Sequence, residues 1–237
     1  MESVLPVVAP GGFVVLTLVV YAWLLMELKK ALAGMDWDQV RKTRIYRRTL
    51  YILTGWTLFI SGLAASGFLE DFSRFPPRIM IVLVVPLISM ISLLFSSSLK
   101  ELLHVIPVSS IIRLQVFRVF VEILLWLLFL QNLLPVQMTF EGRNFDVLAG
   151  VTAPIIAYYF AQNRAVLIIW NLLSLGLLVN IITIAILSLP APFRFFMNEP
   201  ANTIVAHFPY VWLPGLLVPL AYGLHFISLK QLMMKKK

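Results

Sequence analysis

Cysteine is absent from this sequence of 237 residues, and histidine and charged residues are scarce. Without a thiol the chain cannot form a disulfide, hold an iron–sulfur cluster through cysteine or use a cysteine nucleophile. The three histidines are His104, His207 and His225, and the last two would lie about 27 Å apart along a continuous helix, which rises ~1.5 Å per residue. That separation excludes a tri-histidine metal site. We therefore expect neither a metal nor a cofactor.

The lack of clustered histidines and of a buried lysine also argues against several classes of seven-span protein. Zinc hydrolases of the alkaline-ceramidase-like and adiponectin-receptor-like families need several histidines at one depth. A retinal protein needs a lysine well inside its last span, whereas the last apolar run here has only Lys230, at its end. No nucleophile–base pair assembles from the sequence either, so an intramembrane enzyme is the third choice of function.

Apolar residues are abundant. They make up 60 % of the chain, give a mean hydropathy of +0.92 and occur in continuous runs. Only Glu2 precedes the first run, so we expect that run to be a retained span and not a signal peptide. The runs predict an all-α polytopic membrane protein with a single domain, residues 1–237, and seven transmembrane helices. The predicted spans are 7–28, 49–69, 79–99, 111–134, 147–160, 165–189 and 211–229.

Basic residues set the predicted orientation. Most of the excess positive charge lies between the first two spans and in the tail. These basic residues are Lys29, Lys30, Arg41, Lys42, Arg44, Arg47, Arg48, Lys230, Lys235, Lys236 and Lys237. Because cytoplasmic loops are enriched in Lys and Arg, the N-terminus is predicted outside and the C-terminus inside the cell membrane. The expected partner of this charge is the lipid bilayer, since no soluble basic domain is present to bind nucleic acid.

Residues 31–40 leave two interpretations open. With their basic continuation they could form a short interfacial helix that touches anionic lipid headgroups. The alternative is a plain loop that sets the topology. The other loops between predicted spans are short, so no extramembrane domain is expected.

A local repeat links the third and seventh spans. Phe75-Pro76 is followed ten positions later by Pro86-Leu87, and Phe208-Pro209 is followed ten positions later by Pro219-Leu220. This spacing predicts two parallel three-helix repeats around a linker helix, and coincidence among abundant residue types is the alternative. The arrangement resembles that of the SWEET sugar transporters in architecture and in the outside N-terminus. No SWEET motif is present, so the resemblance implies a transporter plan and assigns no residue.

Prolines inside or beside the spans carry two interpretations. They are Pro86, Pro154, Pro214 and Pro219. Each removes a backbone donor and can bend a helix. The bends are either packing kinks or hinges for alternating access.

The fourth span contains two opposite charges one helical turn apart, Arg118 and Glu122, and Gln115 and Trp126 extend the same face. Arg118 would lie about 10 Å and Glu122 about 16 Å from the cytoplasmic end of the span. An unpaired charge at that depth costs at least ~2.5–3.5 kcal/mol. An i,i+4 ion pair would lower this cost, and a purely structural pair is the alternative to a functional site. We predict that both residues line a solute path.

Neutral polar residues in neighbouring spans complete the predicted substrate-binding set. Asn171 lies at nearly the depth of Arg118 and is its predicted neutral partner, and Tyr222 and His225 share a face of the seventh span. The alternative for His225 is a hydrogen-bonded packing histidine. The set comprises Arg118, Glu122, Gln115, Asn171, Tyr222 and His225.

The outer loops hold the other concentration of polar residues, interleaved with aromatic rings and prolines. The mixed charges predict a compact lid over the mouth of the bundle, and solvated loops are the alternative. The predicted lid residues are Glu70, Asp71, Arg74, Arg143, Asp146, Arg194 and Glu199.

These features together predict an integral membrane protein that moves or binds a small polar or anionic solute. The rival function is a non-transporting membrane scaffold or sensor that docks a partner through its polar helix faces. A hydrated cavity beside Glu122 would favour transport, and a protein interface there would favour the scaffold.

Overall fold

The computed structural model describes residues 5–234, which form helices and loops without a strand, so the all-α prediction is confirmed. Glu2 and the basic tail residues Lys235, Lys236 and Lys237 lie outside the described residues. The α-helices in the described part are α1 (Leu5–Ala33), α2 (Gln39–Ala65), α3 (Met80–Leu94), α4 (Ser97–Leu102), α5 (Val108–Leu114), α6 (Phe117–Leu130), α7 (Val147–Tyr159), α8 (Arg164–Leu187) and α9 (Val218–Met233). A π-helical turn, Leu213–Leu217, leads into α9.

Three helical segments are long and apolar enough to cross a membrane: Val8–Ala33, Arg164–Leu187 and Leu213–Met233. The apolar helices α3 and α7 have 15 and 13 residues. They would cover only about 22 and 20 Å of a hydrocarbon core about 30 Å thick. Length and composition therefore support three spans, and the seven-span prediction goes beyond them.

The connection between α1 and α2 is a tight turn. α1 continues to Ala33, and α2 begins at Gln39 after Asp38, whose side chain accepts a hydrogen bond from the backbone nitrogen of Arg41 at 2.5 Å. Residues 31–40 thus comprise the end of one helix, a turn and the start of the next, so they form neither a separate short helix nor a plain loop. α2 starts ten residues before the predicted span because Asp38 supplies an N-cap and the Arg- and Lys-containing stretch after it favours helix.

The predicted fourth span, 111–134, is two helices. α5 ends at Leu114 and α6 begins at Phe117. Across this junction Gln115, Val116 and Arg118 each donate their backbone N–H to the carbonyl three residues earlier, as in a 3₁₀ turn. The prediction of one continuous helix is therefore wrong here. The reason is local, since a 3₁₀ turn has no hydropathy signature.

α6 and α9 form the interior of the bundle. α6 packs against α1 and α7, whereas α9 packs against α3, α5 and α8. Phe13, Phe117, Leu128 and Leu217 are among the fully buried residues of the shared apolar core. Large apolar side chains also cover the outer faces of α1, α2, α3 and α8, as expected of surfaces that contact lipid.

The two copies of the Pro-Leu spacing lie at similar positions in α3 and in the helical segment that begins at Leu213 and continues into α9. Pro86 lies six residues after Met80, and Pro219 lies six residues after Leu213, where the two helical segments start. The two segments differ in one respect, because the first turn after Leu213 is π-helical whereas α3 is α-helical throughout. α3 and α9 pack against each other.

Candidate functional site

Buried polar side chains converge where α6, α8 and α9 meet the segment that precedes α7. Arg118 and Glu122 on α6 are each only 2 % exposed. Asp146, Asn171 and His225 come from three other parts of the chain and are also buried. Burying these groups is tolerable only when each has a partner, so the hydrogen bonds show how the site is built.

Arg118 forms a two-pronged ion pair with Asp146. Its Nε donates to Oδ2 at 2.7 Å, and a terminal guanidinium nitrogen donates to Oδ1. Two further donors reach the backbone oxygen of Ser174 at 3.2 Å and Nε2 of His225 at 2.9 Å. The single positive charge of Arg118 is thus matched by one carboxylate and two neutral acceptors.

His225 connects Arg118 to Asn171 on α8 through its two ring nitrogens. Asn171 donates through Nδ2 to the backbone oxygen of Leu167 and to the hydroxyl of Ser228, so its Oδ1 faces Nδ1 of His225 at 2.9 Å. Nδ1 must then donate, while Nε2 accepts from Arg118. His225 is held as the neutral tautomer with the proton on Nδ1.

Glu122 has a different environment. Nδ2 of Asn144 donates to its two carboxylate oxygens at 2.7 and 2.6 Å and also lies 3.0 Å from the backbone oxygen of Met138. Oδ1 of Asn144 accepts the backbone N–H of Asp146, which fixes the amide in this orientation. In residues 5–234 no Lys, Arg or His nitrogen forms an ion pair with Glu122.

Two sequence-based assignments are therefore corrected. The expected i,i+4 pair of Arg118 with Glu122 is replaced by the pair of Arg118 with Asp146, because the segment before α7 folds back against α6. Asp146, predicted in the outer lid, belongs to this buried network. Asn144 is not among the predicted site residues, because no local sequence signal indicates that it reaches Glu122.

The other predicted site residues lie around the network. Gln115 donates through Nε2 to the backbone oxygen of Ala221 at 3.0 Å, and its Oε1 has no partner in the described part of the chain. The buried hydroxyl of Tyr222 also has none there. Trp126 does not continue the polar face, since its Nε1 donates to the exposed carboxylate of Glu141 at 2.6 Å.

A cavity of about 100 Å³ lies beside Glu122. Its walls are mostly apolar side chains of α6 and α8 and the residues that lead into α9. Its polar lining residues are Glu122, Asp146 and Asn202. Asn202 is 1 % exposed, and its Oδ1 has no hydrogen-bond partner among the described residues. The cavity therefore presents oxygen acceptors in an apolar enclosure.

The outer loops contact one another at several points. Asp71 pairs with Arg74 at 2.9 Å and Arg78 at 3.2 Å, and Glu70 lies 3.4 Å from His207. The hydroxyl of Ser73 holds the pKa of Asp71 below its usual value, with help from the two arginines. The contact between Glu70 and His207 joins the segment before α3 to the segment before α9.

A second group of contacts joins the loop after α6 to the loop after α8. Arg194 pairs with Glu199 at 3.0 Å, and this hydrogen bond, together with one from the backbone of Ala201, lowers the pKa of Glu199. Asn198 donates to Gln137 at 2.7 Å, and the guanidinium of Arg143 lies 5.4 Å from the ring centre of Phe196. Apart from Asp146, the predicted lid residues thus lie in loops that pack together or fold on themselves.

No three His, Asp or Glu side chains converge into a metal-binding group within residues 5–234.

Residues 76–233 match a family model described as Domain of unknown function (DUF8737). The match includes α3 to α9 and so contains every residue of the buried network and of the polar cavity lining. No curated protein matches the chain, and no solved structure matches it.

Proposed function

The chain belongs to the DUF8737 family, and we propose that it is a seven-span membrane protein that binds a small polar solute in the cavity beside Glu122 and moves it across the bilayer. The observation that carries the proposal is a buried carboxylate that lines a cavity and has no cationic partner in the described residues. An ionised group in that position is disfavoured by several kcal/mol relative to water. A purely structural helix would carry an apolar residue here at no such cost.

The charges around the cavity favour a neutral or cationic solute over an anionic one. Arg118 is the basic side chain of the buried network, and its charge is taken up by Asp146. The polar residues that line the cavity are Glu122, Asp146 and Asn202, and Oδ1 of Asn202 has no hydrogen-bond partner within residues 5–234. An anion would meet the carboxylates of Glu122 and Asp146 in the cavity lining, so the charges favour a solute that donates hydrogen bonds.

The proposed topology extends the three apolar spans to seven. α2 and the α5–α6 pair would supply two spans, and the shorter α3 and α7 would cross with the help of their flanking loops or in locally thinned bilayer. The basic residues of the α1–α2 connection then face the cytoplasm together with the C-terminus. The matching positions of Pro86 and Pro219 support a repeat relation between the third and seventh spans.

The second candidate function is a scaffold or sensor that docks a partner helix. The large apolar side chains on the outer faces of α2 and α8 favour it, because such faces can contact a partner as well as lipid. On this view the cavity is a packing defect and stays dry. Hydration of the cavity therefore separates the two functions.

Single cysteines can measure that hydration, because the native chain has none. Leu178 lines the cavity and is 2 % exposed, whereas its neighbour Val179 is 55 % exposed on the outer face of α8 at the same depth. A solute-binding protein should let a small charged thiol reagent modify Leu178→Cys in membranes from one side. Val179→Cys should stay unmodified because it faces lipid.

Protein folding should be checked by the elution of each variant in detergent. If neither cysteine is modified by the thiol reagent in well-folded protein, the cavity is dry and the scaffold function is favoured. Ile182→Cys, which also lines the cavity, provides a second test position if Leu178→Cys folds poorly.

A further inference from the structure

We infer that Glu122 is a proton-binding group that exchanges its proton with water in the cavity while the Arg118–Asp146 pair stays ionised. This inference rests on the proposed function, because it uses the same cavity. It adds the chemical class of the species that the site takes up.

The inference starts from a count of charges. The buried network contains the cation Arg118, the anion Asp146 and the neutral tautomer of His225, so these three groups sum to zero. An ionised Glu122 would leave one net negative charge in the interior. Among the described residues its one side-chain donor is the neutral amide of Asn144, which also faces a backbone oxygen. Binding one positive charge at Glu122 restores neutrality.

The surrounding elements offer no other source of that charge. Interior polar side chains of α1 and α8 are the neutral Thr17, Asn171 and Ser174 in the described part of the chain. α9 contributes His225, whose acceptor nitrogen is occupied by Arg118, and the neutral hydroxyls of Tyr222 and Ser228. Neutrality must therefore come from a species that enters the cavity.

A proton fits this site better than a metal cation. Divalent cations such as Ca²⁺ and Mg²⁺ take about six or more oxygen ligands. Both oxygens of Asp146 are bound to Arg118, which leaves the two oxygens of Glu122 and the Oδ1 of Asn202. A proton needs one carboxylate oxygen and an acceptor for the resulting O–H group.

Asn202 supplies that acceptor. Its Oδ1 is buried, has no partner among the described residues and belongs to a residue that lines the same cavity. A cavity of about 100 Å³ is large enough to hold water. In the proposed step a hydronium ion in the cavity transfers its proton to a Glu122 oxygen and leaves as water. The new O–H group donates to Asn202 directly or through a cavity water.

Infrared difference spectroscopy on the full chain in lipid nanodiscs tests the inference. Spectra recorded on stepping from low to high pH should show loss of the carbonyl band of one buried carboxylic acid per chain. Glu122→Gln should lack that band, whereas Glu141→Gln, which changes an exposed outer-loop carboxylate, should keep it. Identical carboxylic-acid bands in the wild type and Glu122→Gln across the pH range would overturn the inference.

A second variant covers the case in which Glu122→Gln does not fold. Glu122→Asp keeps a carboxyl group, so its band should persist and titrate at a shifted pH, and an unshifted band would count against the inference. The cysteine experiment is independent of these spectra. A reactive Leu178→Cys with no Glu122 band would refute proton binding alone, whereas a Glu122 band with an unreactive cavity would refute the solute path alone.

Discussion

The guanidinium of Arg118 on α6 and the carboxylate of Asp146 just before α7 form a buried two-pronged ion pair across 28 residues of sequence. This pair holds the loop between α6 and α7 against the bundle. It also positions Asn144, two residues earlier, against Glu122. The network and the cavity therefore depend on one contact between a helix and a loop.

Breaking that contact should destabilise the protein strongly. Arg118→Leu leaves Asp146 as an unpaired buried charge, which should lower the free energy of unfolding by about 3–5 kcal/mol. The measurement is chemical unfolding in mild detergent. Arg74→Ala is the control, because it removes an exposed pair with Asp71 and should change stability by at most about 1 kcal/mol.

The double variant Arg118→Leu/Asp146→Leu separates pairing from packing. Because it removes both charges together, it should be clearly more stable than Arg118→Leu alone. If Arg118→Leu is as stable as Arg74→Ala, the Arg118–Asp146 pair contributes little to stability.

Gly150 should be required for the contact between α6 and α7. A Cβ atom at Gly150 would lie 2.7 Å from the backbone nitrogen of Val119, and a backbone atom cannot yield as a flexible side chain can. Gly150→Ala should therefore cost about 1–3 kcal/mol of folding stability through overpacking. Gly176→Ala on α8 is the matched control, since nothing lies within 4 Å of its added Cβ.

Gly176→Ala should be neutral or stabilising by up to about 1 kcal/mol, because alanine favours helix over glycine. Thermal unfolding of the two variants side by side gives the comparison. Equal stability would mean that α6 and α7 pack less closely than the structure has them.

His225 should carry its proton on Nδ1. Nitrogen-15 chemical shifts of labelled histidine distinguish the two neutral tautomers, and the chain has only three histidines to resolve. His225→Gln identifies the signal. A proton on Nε2 would contradict the acceptor role toward Arg118 and would require the Asn171 amide to be turned over.

The side of the bundle that carries the α1–α2 turn has a pH-dependent contact. Glu101 near the end of α4 accepts hydrogen bonds from Nε1 of Trp37 at 2.7 Å and from Arg41 at 3.2 Å. The Trp37 bond, followed by those from Arg41, lowers the pKa of Glu101. A lowered folded pKa means that the carboxylate stabilises the fold above its unfolded pKa, about 4.3, and that this contribution is lost as pH falls through the folded pKa.

The thermal midpoint of Glu101→Gln should therefore lie below that of the wild type at pH 7. The difference should shrink as the pH falls below about 4. Asp36→Asn is the control, because this exposed carboxylate on the same surface forms no ion pair among the described residues. A pH-independent difference for Glu101→Gln would mean that the carboxylate charge does not tie α4 to the α1–α2 turn.

Orientation in the membrane can be tested with reporters. Eleven basic residues lie in the first predicted inner segment and the tail, against four in the outer loops, namely Arg74, Arg78, Arg143 and Arg194. A reporter fused after residue 237 should therefore be active on the cytoplasmic side. An external reporter would reverse the proposed topology and the side from which the cavity opens.

The sequence by itself determined the helical, lipid-adapted character of the chain. An apolar run indicates that a segment is more stable in an apolar environment than in water, and this property depends only on local sequence. The helices at 147–159 and 164–187 therefore lie close to their predicted spans. The sequence also identified Arg118, Glu122, Asn171 and His225 as unusual, because polar groups within apolar runs are costly wherever they face.

Only the tertiary structure decided which of these groups are partners. The sequence predicted a pair of Arg118 with Glu122, because helical i,i+4 neighbours are contacts that can be predicted from sequence spacing. The actual partner, Asp146, comes from a loop whose path depends on the packing of α6, α7 and α9. A folded loop can place an opposite charge beside a buried group at any sequence separation, and this loop places Asp146 beside Arg118. Glu122 is left beside the cavity, with the neutral amide of Asn144 as its hydrogen-bond donor.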